Sequence, residues 1–436
     1  MAQIVKPSTL PGFMELLPQD QRVLDQMKAI IEKNYRDKGF LAIDTPVLER
    51  EEVLLAKGGG DTEKQIYRFT KGKTDLAMRF DLTVPLARYV AEHYSHLSFP
   101  FRRYHIGKVY RGERQQKGRF REFYQCDIDI IGNGSLDLFH DGEIPSIIEG
   151  TFMDLGFDAF TIHINNRKIL NGFYQAIGIE EPQNVLRIVD KQDKVAWEVL
   201  EGELAELGLS KEQIQSITEF KNISGTNGEI FEALEALSLD HEAFQTGLEE
   251  LKTVVAVAEM LLKDEGHIQV DLSIARGLDY YTGTVYETFL DDYPKIGSVC
   301  SGGRYENLAE HYTKQSLPGV GVSIGLSRLY YQLNEGGLLK DYSSAPADVL
   351  IVAFDAVRQE GLKLLKAYRD HGVRAIFYAD KGKVGKKFKY ADDLGLPYVA
   401  VLGEDEVKEG SVTLRNMTTG QEERLSVEES ISRLLG

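Results

Sequence analysis

The segment 275–287 contains side chains that could bind and activate a small polar molecule. It reads Ala-Arg-Gly-Leu-Asp-Tyr-Tyr-Thr-Gly-Thr-Val-Tyr-Glu and joins two runs of residues typical of β-strands. Arg276 offers a rigid fork of donors that suits a phosphate or a carboxylate, whereas Tyr280 and Tyr281 offer flat faces with a hydroxyl at the tip. The two glycines let the backbone bend or approach a ligand closely. This composition predicts a pocket for a small, planar, polar molecule beside an anion.

A second polar constellation lies on a predicted pair of antiparallel strands, residues 104–113 and 121–131. Period-two alternation puts the odd-numbered residues of the second strand on one face and its even-numbered residues on the other. The odd-numbered face carries Arg121, Phe123, Gln125, Asp127 and Asp129. Such a face is too polar for a packed core and is typical of the floor of a wet pocket. The alternative is a half-exposed strand with salt bridges, in which Asp129 only pairs with a nearby arginine.

Basic residues are concentrated at two places in an otherwise acidic chain. Eight of them lie between residues 102 and 121, where Glu113 is the single acid. Five lysines cluster in residues 381–390 with two glycines, Phe388 and Tyr390. Either group can neutralise phosphates, although a lysine run is often only a solvated surface. The net charge of −17 argues against nucleic-acid binding by the whole surface but leaves such local contacts open.

Length and composition are those of a globular protein. The 436 residues, 42% hydrophobic and 27% charged, predict about three domains at roughly 150 residues each. Nothing approaches the ~18 consecutive apolar residues of a membrane span, and residues 1–18 lack a signal-peptide core. We therefore expect a cytoplasmic protein without a membrane partner. Cys126 and Cys300 form neither a disulfide framework nor the paired spacing of a zinc site.

The elements that must position these residues follow from periodicity and turn signals. In chain order they are a helix between Asp20 and Gly39, an edge strand over 40–48 that contains Pro46, a β-hairpin over 69–80, the two antiparallel strands, a mostly helical region over 176–265, a strand over 319–325 with a helix from Leu326, and, beyond a linker at 343–347, alternating strands and helices. The last part predicts a compact α/β domain of about 90 residues with short connections.

Three separated blocks, taken with residues 275–287, resemble the signature motifs of class II aminoacyl-tRNA synthetases. Residues 40–48 resemble the first motif, 102–132 the second, and 319–329, which end in Gly-Leu-Ser-Arg-Leu, the third. Because the motifs occur together and in order, the match is far more specific than any one of them. Within that class the chain resembles the histidyl-tRNA synthetases, whose histidine-binding motif matches the segment around Arg276.

The resemblance implies an α+β fold. It has an antiparallel class II synthetase sheet of six or seven strands flanked by helices, a helical insertion, and a C-terminal α/β anticodon-binding domain. The implied boundaries are 1–175 and 266–335 for the catalytic core, 176–265 for the insertion, and 346–436 for the anticodon-binding domain.

The implied activity is that of a histidine–tRNA ligase. Such an enzyme attaches histidine to histidine tRNA through a histidyl-adenylate intermediate, using ATP with Mg²⁺ as substrate. The family places a catalytic arginine where other class II enzymes place a metal, so no metal held tightly by protein ligands is expected. The resemblance also implies a homodimer formed through the first motif.

The matching residues fall into four groups. Arg276 and Arg111 match catalytic arginines. The histidine-binding set is Asp81, Thr83, Gln125, Asp129, Tyr280 and Tyr281. The ATP-binding set is Arg111, Glu113, Arg121, Phe123 and Arg328. The predicted tRNA-binding set is Gln116, Lys117 and Arg119 from the second motif, with Lys386 and Lys387 from the C-terminal cluster. Ser327 departs from the family pattern, which more often has glutamate there.

Three other interpretations stay open at this point. A regulatory subunit can resemble these synthetases and bind histidine without charging tRNA, but such paralogues typically lack the C-terminal domain and degrade the segment around Arg276. A class II synthetase for another amino acid is disfavoured by Asp129 combined with Tyr280 and Tyr281. A purely RNA-binding protein is disfavoured by the negative net charge and the complete ATP-binding set.

Overall fold

The chain folds into two compact units. The computed structural model describes residues 5–56, 61–113, 118–192, 195–274, 281–306, 309–340 and 342–436, with the backbone alone at 61 and 62. The first unit consists of the segment that ends at Met14 together with Met27–Leu338, and the second consists of Glu15–Gln26 together with Leu339–Gly436.

Eleven strands lie in the described part of the first unit. In chain order they are β1 (Leu41–Ala42), β2 (Leu48–Arg50), β3 (Arg68–Lys71), β4 (Thr74–Met78), β5 (Phe101–Tyr110), β6 (Glu122–Ile131), β7 (Phe160–Asn166), β8 (Ile268–Val270), β9 (Thr284–Leu290), β10 (Cys300–Tyr305) and β11 (Gly319–Ile324). Eight of them form the main sheet in the order β1-β5-β6-β11-β10-β9-β7-β8, and β2-β4-β3 form a small second sheet.

The main sheet confirms the antiparallel core that the resemblance implied. Its six inner strands, from β5 to β7 in sheet order, all pair antiparallel. The sheet is nevertheless mixed, because the short edge strands β1 and β8 pair parallel with β5 and β7. These edge strands have two and three residues and were too short to stand out as strands in the sequence.

The strands β5 and β6 pair along their whole length, with Arg103 opposite Asp129 and Gly107 opposite Gln125. The even-numbered residues at the end of β6 are apolar, and Ile128 and Ile130 are completely buried. On this side the hydroxyl of Tyr35 donates a hydrogen bond to a backbone carbonyl of β6. The predicted alternation is therefore confirmed, and the odd-numbered polar residues lie on the opposite face.

Residues 40–48 contain the two-residue strand β1 and only the first residue of β2, so the prediction of one continuous strand is wrong. The first, β1, lies at the edge of the main sheet as expected, whereas β2 belongs to the small sheet. Pro46 lies between them and has no N–H to donate to a ladder. The predicted hairpin over 69–80 is confirmed as β3 and β4, which turn at Gly72 with a φ of +65°.

Twelve helices lie in the described residues before position 339. They are α1 (Pro18–Asp37), α2 (Glu51–Leu55), α3 (Asp61–Gln65), α4 (Thr83–His93), α5 (Phe139–Asp154), α6 (Arg167–Ala176), α7 (Pro182–Val189), α8 (Trp197–Glu206), α9 (Lys211–Lys221), α10 (Asn227–Ala236), α11 (Glu242–Leu261) and α12 (Leu326–Glu335). In the segments that the structure describes, none of the helices is long and apolar enough to cross a membrane.

The predicted helical character of 176–265 is confirmed by α7 to α11. Capping boxes begin α9 and α10, where the hydroxyls of Ser210 and Thr226 accept backbone N–H groups of the first turn. The last helix, α11, approaches α6 so closely that a Cβ atom at Gly172 would lie 2.4 Å from the backbone nitrogen of Phe244. The helical region therefore shares a packed core with the sheet.

The second unit contains a five-stranded sheet in the order β13-β12-β14-β15-β16. Its elements are β12 (Val349–Ala353), α13 (Arg358–Asp370), β13 (Ala375–Phe377), α14 (Val384–Asp393), β14 (Tyr398–Leu402), α15 (Glu404–Glu409), β15 (Ser411–Asn416), β16 (Glu422–Ser426) and α16 (Val427–Leu435). The parallel strands β12, β13 and β14 confirm the predicted α/β alternation. The antiparallel hairpin β15–β16 was not predicted.

Both cysteines lie in the main sheet on either side of β11. Ile324 pairs with Cys126 of β6 on one side and with Cys300 of β10 on the other. Both thiols are free and buried, and burial raises the pKa of each well above that of an exposed cysteine.

Candidate active site

A buried ion pair lies at the centre of the polar face of the main sheet. The guanidinium of Arg103 on β5, which is 0% exposed, pairs with the carboxylate of Asp129 on β6. The hydroxyl of Tyr305 on β10 donates a hydrogen bond of 2.9 Å to the other carboxylate oxygen of Asp129. The predicted ligand Asp129 is thus paired with an arginine, as the alternative interpretation of this strand proposed, and it also faces a tyrosine.

Glycine residues of β11 make room for this arrangement. A Cβ atom at Gly321 would lie 2.3 Å from Oδ1 of Asp129, and one at Gly319 would lie 2.5 Å from the ring of Tyr305. Real Cβ atoms do not approach other atoms so closely, so any larger residue would displace one of the two side chains.

Burial changes the acidity of the carboxyls on this face. It raises the pKa of Asp129 to about 6 and that of Asp127 to about 7, while in each case the positive charge of Arg103 is the largest influence in the other direction. Within the described residues, Oδ1 of Asp127 has no hydrogen-bond partner. Two buried carboxyls therefore face one buried guanidinium, which leaves the face short of positive charge.

The amide of Gln125 is oriented by a side chain of the neighbouring strand. Its Nε2 donates a hydrogen bond of 2.9 Å to the hydroxyl of Ser323, and its Oε1 has no partner among the described residues. Such an unpaired acceptor beside unpaired carboxylate oxygen suits a ligand that carries N–H groups.

Asp81 joins the site from the segment before α4. Its Oδ1 accepts the backbone N–H of Val84 at 2.9 Å, and Thr83 is the first residue of the helix. Burial raises the pKa of Asp81, and its carboxylate raises the pKa values of Asp127 and Asp129 in turn. Asp81 and Asp129 are therefore close enough to interact, and Gln125 lies on the same face of β6 as Asp129.

Tyr281 approaches the same face from the end of β9. Its ring packs against Gly303, where an added Cβ would lie 2.9 Å from Cδ1, and it raises the pKa of Tyr305 as a lesser influence behind burial. The predicted partners Arg276 and Tyr280 lie outside the described residues.

Arg111 occupies the other end of the strand pair, sandwiched by aromatic rings. Its guanidinium carbon lies 4.3 Å from the ring centroid of Phe80 and 5.1 Å from that of Phe123. Its Nε donates a hydrogen bond of 3.2 Å to the carbonyl of Phe80. Stacking and this bond fix the orientation of the fork, as a site for a planar ligand and a phosphate requires.

The remaining predicted ATP-binding residues lie near the ends of neighbouring elements. Arg121 donates from Nε to the carbonyl of Glu113 at 3.0 Å, and the Glu113 carboxylate lies 3.7 Å from Arg119. Arg328 is exposed in the first turn of α12 and donates to the carbonyl of Ile296 at 2.9 Å. Because its guanidinium donates to a backbone carbonyl, Arg121 also stabilises the start of the loop between β5 and β6.

Ser327, which departs from the family pattern, connects the helix α12 to the strand β6. It is 1% exposed, and its hydroxyl accepts the backbone N–H of Tyr124 on β6 at 2.9 Å. This hydrogen bond ties the first turn of α12 to the strand that carries the polar face. The neighbouring Arg328 is thereby held at a fixed height above the sheet.

The lysine cluster of the second unit is only partly a surface feature. Lys386 is exposed near the start of α14, but Lys387 is 6% exposed and its ammonium lies 5.7 Å from the ring centroid of Tyr378. Lys387 therefore packs beside this ring, whereas Lys386 is open to solvent. The predicted tRNA ligands Gln116 and Lys117 lie outside the described residues, whereas Arg119 is accessible beside Glu113.

Two residues of the site were missed in the sequence. Arg103 was noticed only as one of eight basic residues, and Tyr305 was not noticed at all. Period-two counting on both strands of the predicted hairpin would have placed Arg103 opposite Asp129, since the pairing of residue 111 beside 121 sets the register. Tyr305 has no such local signal because its strand is distant in sequence.

No group of three or more potential metal-ligating side chains lies together within the described ranges.

Comparisons with known proteins agree over the whole chain. Residues 12–329 match the family model described as histidyl-tRNA synthetase, and residues 348–436 match the one described as anticodon binding domain. The chain is 56% identical to a histidine–tRNA ligase of Clostridium tetani, covering 98% of both chains, and 47% identical to one of Finegoldia magna, covering 99% of this chain and 100% of the relative.

Solved structures give the same result. A histidyl-tRNA synthetase from Nostoc sp. PCC 7120 superposes with a TM-score of 0.92 at 37% identity, covering 99% of this chain and 100% of that one. A protein from Bacillus halodurans, described as an ATP phosphoribosyltransferase regulatory subunit/histidyl-tRNA synthetase, superposes with a TM-score of 0.75 at 20% identity and covers 92% of this chain and 99% of its own. The second likeness concerns the fold alone.

Replacing Ser327 with alanine should destabilise the protein, because the N–H of Tyr124 would lose its acceptor. We expect a loss of about 1–3 kcal/mol, the usual cost of leaving one such group unpaired. Urea unfolding followed by circular dichroism measures it. As a control, Ser216→Ala removes an exposed helical hydroxyl that donates to the carbonyl of Glu212, and it should change stability by less than about 0.5 kcal/mol. Equal unfolding midpoints for the two variants would show that the contact contributes nothing.

Proposed function

The chain belongs to the histidyl-tRNA synthetase family, the ligases that attach histidine to tRNA with ATP as substrate, and from this premise we propose how its residues divide the reaction. The observation that carries the proposal is one sheet face that carries Gln125 and Asp129, with Asp81 close to Asp129, and that has the stack of Arg111 and Phe123 at its other end. One end of that face is suited to histidine and the other to ATP.

In the activation step, a carboxylate oxygen of histidine forms a bond to the α-phosphorus of ATP while the bond to the bridging oxygen breaks and pyrophosphate leaves. Charge on the phosphoryl oxygens must be neutralised, and the two reactants must be held in line. We assign Arg111 to the α-phosphate, since its stacked guanidinium has a fixed orientation. Phe123 stacks on the adenine, and Glu113, Arg121 and Arg328 complete the nucleotide site. Arg276 is proposed as the second catalytic arginine.

Histidine recognition requires an anion for the α-ammonium group and partners for both imidazole nitrogens. We assign Asp81, Thr83 and Gln125 to the ammonium group, because the buried carboxyl of Asp81 and the unpaired amide oxygen of Gln125 can accept its N–H groups. Asp129 accepts a ring N–H, with Tyr280 and Tyr281 beside it. A site built from buried polar groups rejects apolar analogues strongly, because a wrong ligand leaves those groups unpaired.

After activation, a ribose hydroxyl at the 3′ end of tRNA attacks the adenylate carbonyl, and AMP leaves. Gln116 is assigned to base edges at the acceptor end, because an amide both donates and accepts, whereas Lys117 and Arg119 neutralise phosphates. The domain boundaries of the sequence prediction are retained: a catalytic core of 1–175 and 266–335, an insertion of 176–265, and an anticodon-binding domain of 346–436.

Three further assignments rest on the family and on surface features. Mg²⁺ enters bound to the phosphates of ATP, as is usual for an ion that keeps few protein ligands. The protein acts in the cytoplasm. It forms a homodimer through the region of β1 and β2, where Leu41 and Leu48 are 63% and 44% exposed at a sheet edge. A monomer mass in sedimentation equilibrium at micromolar concentration would refute the dimer.

Exchange of labelled pyrophosphate into ATP tests the function directly. Among the twenty amino acids, histidine alone should support exchange, without any need for tRNA, because activation precedes transfer. Arg111→Ala should slow exchange by about 10²–10³-fold, the effect of removing one comparable stabilising donor.

The matched control for that variant is Arg102→Met. Arg102 pairs with Glu143 at 2.7 Å and belongs to the opposite face of β5, so its loss should leave exchange near the normal rate. Exchange with a different amino acid would make the chain a synthetase of other specificity. No exchange at all would favour a regulatory subunit.

The exposed lysines of the second unit should contribute to tRNA binding. Replacing Lys383 and Lys386 with alanine should weaken binding and lower the slope of log K against log salt by roughly 1.4–1.8, the value for two phosphate contacts. Filter binding at several salt concentrations measures both effects. Pyrophosphate exchange should be unchanged, since no tRNA takes part in it.

A control pair separates this surface from charge in general. Lys363 and Lys366 are exposed on α13 of the same unit, and alanine at both positions removes the same charge from another helix. If both double variants bind tRNA with the same affinity and salt slope as the unmodified protein, the cluster is a solvated surface only. Lys387 is left unchanged because its buried side chain would confound the result.

A further inference from the structure

Arg103 has no role in the reaction as described so far, yet it is the most deeply buried charge beside the proposed histidine site. It is 0% exposed and lies between β1 and β6, opposite Leu41 on one side and Asp129 on the other. Its carboxylate partner is itself 4% exposed. Among the described residues, Nε and Nη1 of Arg103 have no hydrogen-bond partner.

Stability alone is a poor explanation for this pair. Removing two charges from water costs about as much as their attraction returns, so apolar residues of similar volume often serve a core equally well. The incomplete hydrogen bonding of Arg103 increases the cost further. A second buried pair in the same unit, Arg304 with Asp141, is satisfied much more fully: Nε and Nη2 of Arg304 donate to Asp141, and Nη2 also donates to the carbonyl of Leu136.

The groups around Asp129 make a fixed positive charge necessary. The titratable groups that face it in the described structure are Asp127 on β6, Asp81 before α4, Tyr305 on β10 and Arg103 on β5, with Tyr281 near Tyr305. Burial and the neighbouring carboxyls favour a protonated Asp129. Only Arg103 among them brings a permanent positive charge, and Tyr305 adds one hydrogen bond.

We propose that Arg103 is a positioning residue for histidine recognition, which keeps the Asp129 carboxylate ionised and turned so that one oxygen can accept the ring N–H. The inference rests on the proposed role of Asp129 in the histidine site. Arg103 holds one carboxylate oxygen and Tyr305 approaches the other, so the carboxylate plane is set by two neighbouring strands rather than by the ligand. A protonated or rotated carboxyl would offer the ring a donor where it needs an acceptor.

Only the ionised Asp129 carboxylate can accept the ring N–H of histidine, and this fixes the direction of the pH dependence. Burial raises the pKa of Asp129 to about 6. Histidine binding is therefore strong above that pH and is lost as the pH falls through it. Removing the Arg103 charge raises this pKa further, by about 1–3 units for the loss of an adjacent opposite charge. In such a variant, histidine binding is already lost at neutral pH or above it.

The test is the KM for histidine in pyrophosphate exchange, measured between pH 5.5 and pH 9 for a set of variants. In Arg103→Met, the rise of this KM on acidification should begin about 1–3 pH units higher than in the unmodified protein. At pH 7 the KM should therefore be raised by about twofold for a shift of one unit and by about 90-fold for a shift of three units, since the ionised fraction of Asp129 falls from about nine tenths to about one half or one hundredth. The KM for ATP should stay within about twofold, because ATP is assigned to the other end of the strand pair.

Two further variants separate charge from packing. Arg103→Lys retains a positive charge and should restore the pH profile of the unmodified protein, even if its different shape lowers affinity at every pH. Arg102→Met, one residue away on the opposite face, should keep the normal profile. A merely structural role of Arg103 would lower activity in the methionine variant without moving its profile, and that result would overturn the proposal.

If Arg103→Met does not fold, Arg103→Met combined with Asp129→Asn removes both charges of the ion pair, so that neither partner is left alone. This double variant should bind ATP normally, but its KM for histidine should no longer rise on acidification through the pKa of Asp129. If the KM for histidine keeps the pH profile of the unmodified protein, the proposal is overturned. The unmodified protein is the reference for both proposals. If it shows no histidine-dependent exchange, the proposed function itself fails. If it shows exchange but the pH profiles of the variants are not shifted, only the role of Arg103 is refuted.

Discussion

The register of β5 against β6 is the constraint on which the rest of the site depends. It places Arg103 directly opposite Asp129 and brings Gln125 and Phe123 onto the same face. A slip of one residue would turn every polar side chain of β6 into the apolar core and expose Ile128 and Ile130. The pairing of one guanidinium with one carboxylate therefore favours the single register in which the polar side chains share one face, and Gly321 of β11 leaves room for Asp129 in that register.

Because both ends of the site belong to the same strand pair, their separation is set by the backbone. Phe123 and Asp129 are six residues apart, which corresponds to about 20 Å at ~3.4 Å per residue in an antiparallel strand. Pairing with β5 holds the whole of this length, and pairing with β11 supports it from Cys126 onward. In the arrangement proposed above, this rigid ladder sets the distance between the nucleotide and the amino acid, and in-line displacement requires such a fixed geometry.

Much of this arrangement was predictable because it is local. The helix α12 and the alternation along β6 follow from short-range periodicity, and the structure confirms them. What failed depends on contacts between distant residues. Residues 40–48 had the composition of one strand, yet the two ends joined different sheets. The packing of Lys387 against Tyr378 was also not predicted, because the hydrophilic run around Lys387 gives no sign of it. Asp129 was identified as a ligand, whereas its partner Tyr305 lies on a strand 176 residues away in sequence, beyond any local pattern.

The position of the two cysteines has a practical consequence for studying such a chain. Cys126 and Cys300 are its only cysteines, both thiols are buried, and burial raises the pKa of each. Since the thiolate is the species that reacts with maleimides and iodoacetamides, the folded protein presents almost no native reactivity to these reagents. A cysteine introduced on an exposed loop would therefore carry a single fluorophore or spin label, without the native thiols having to be removed from the sheet they help to fill.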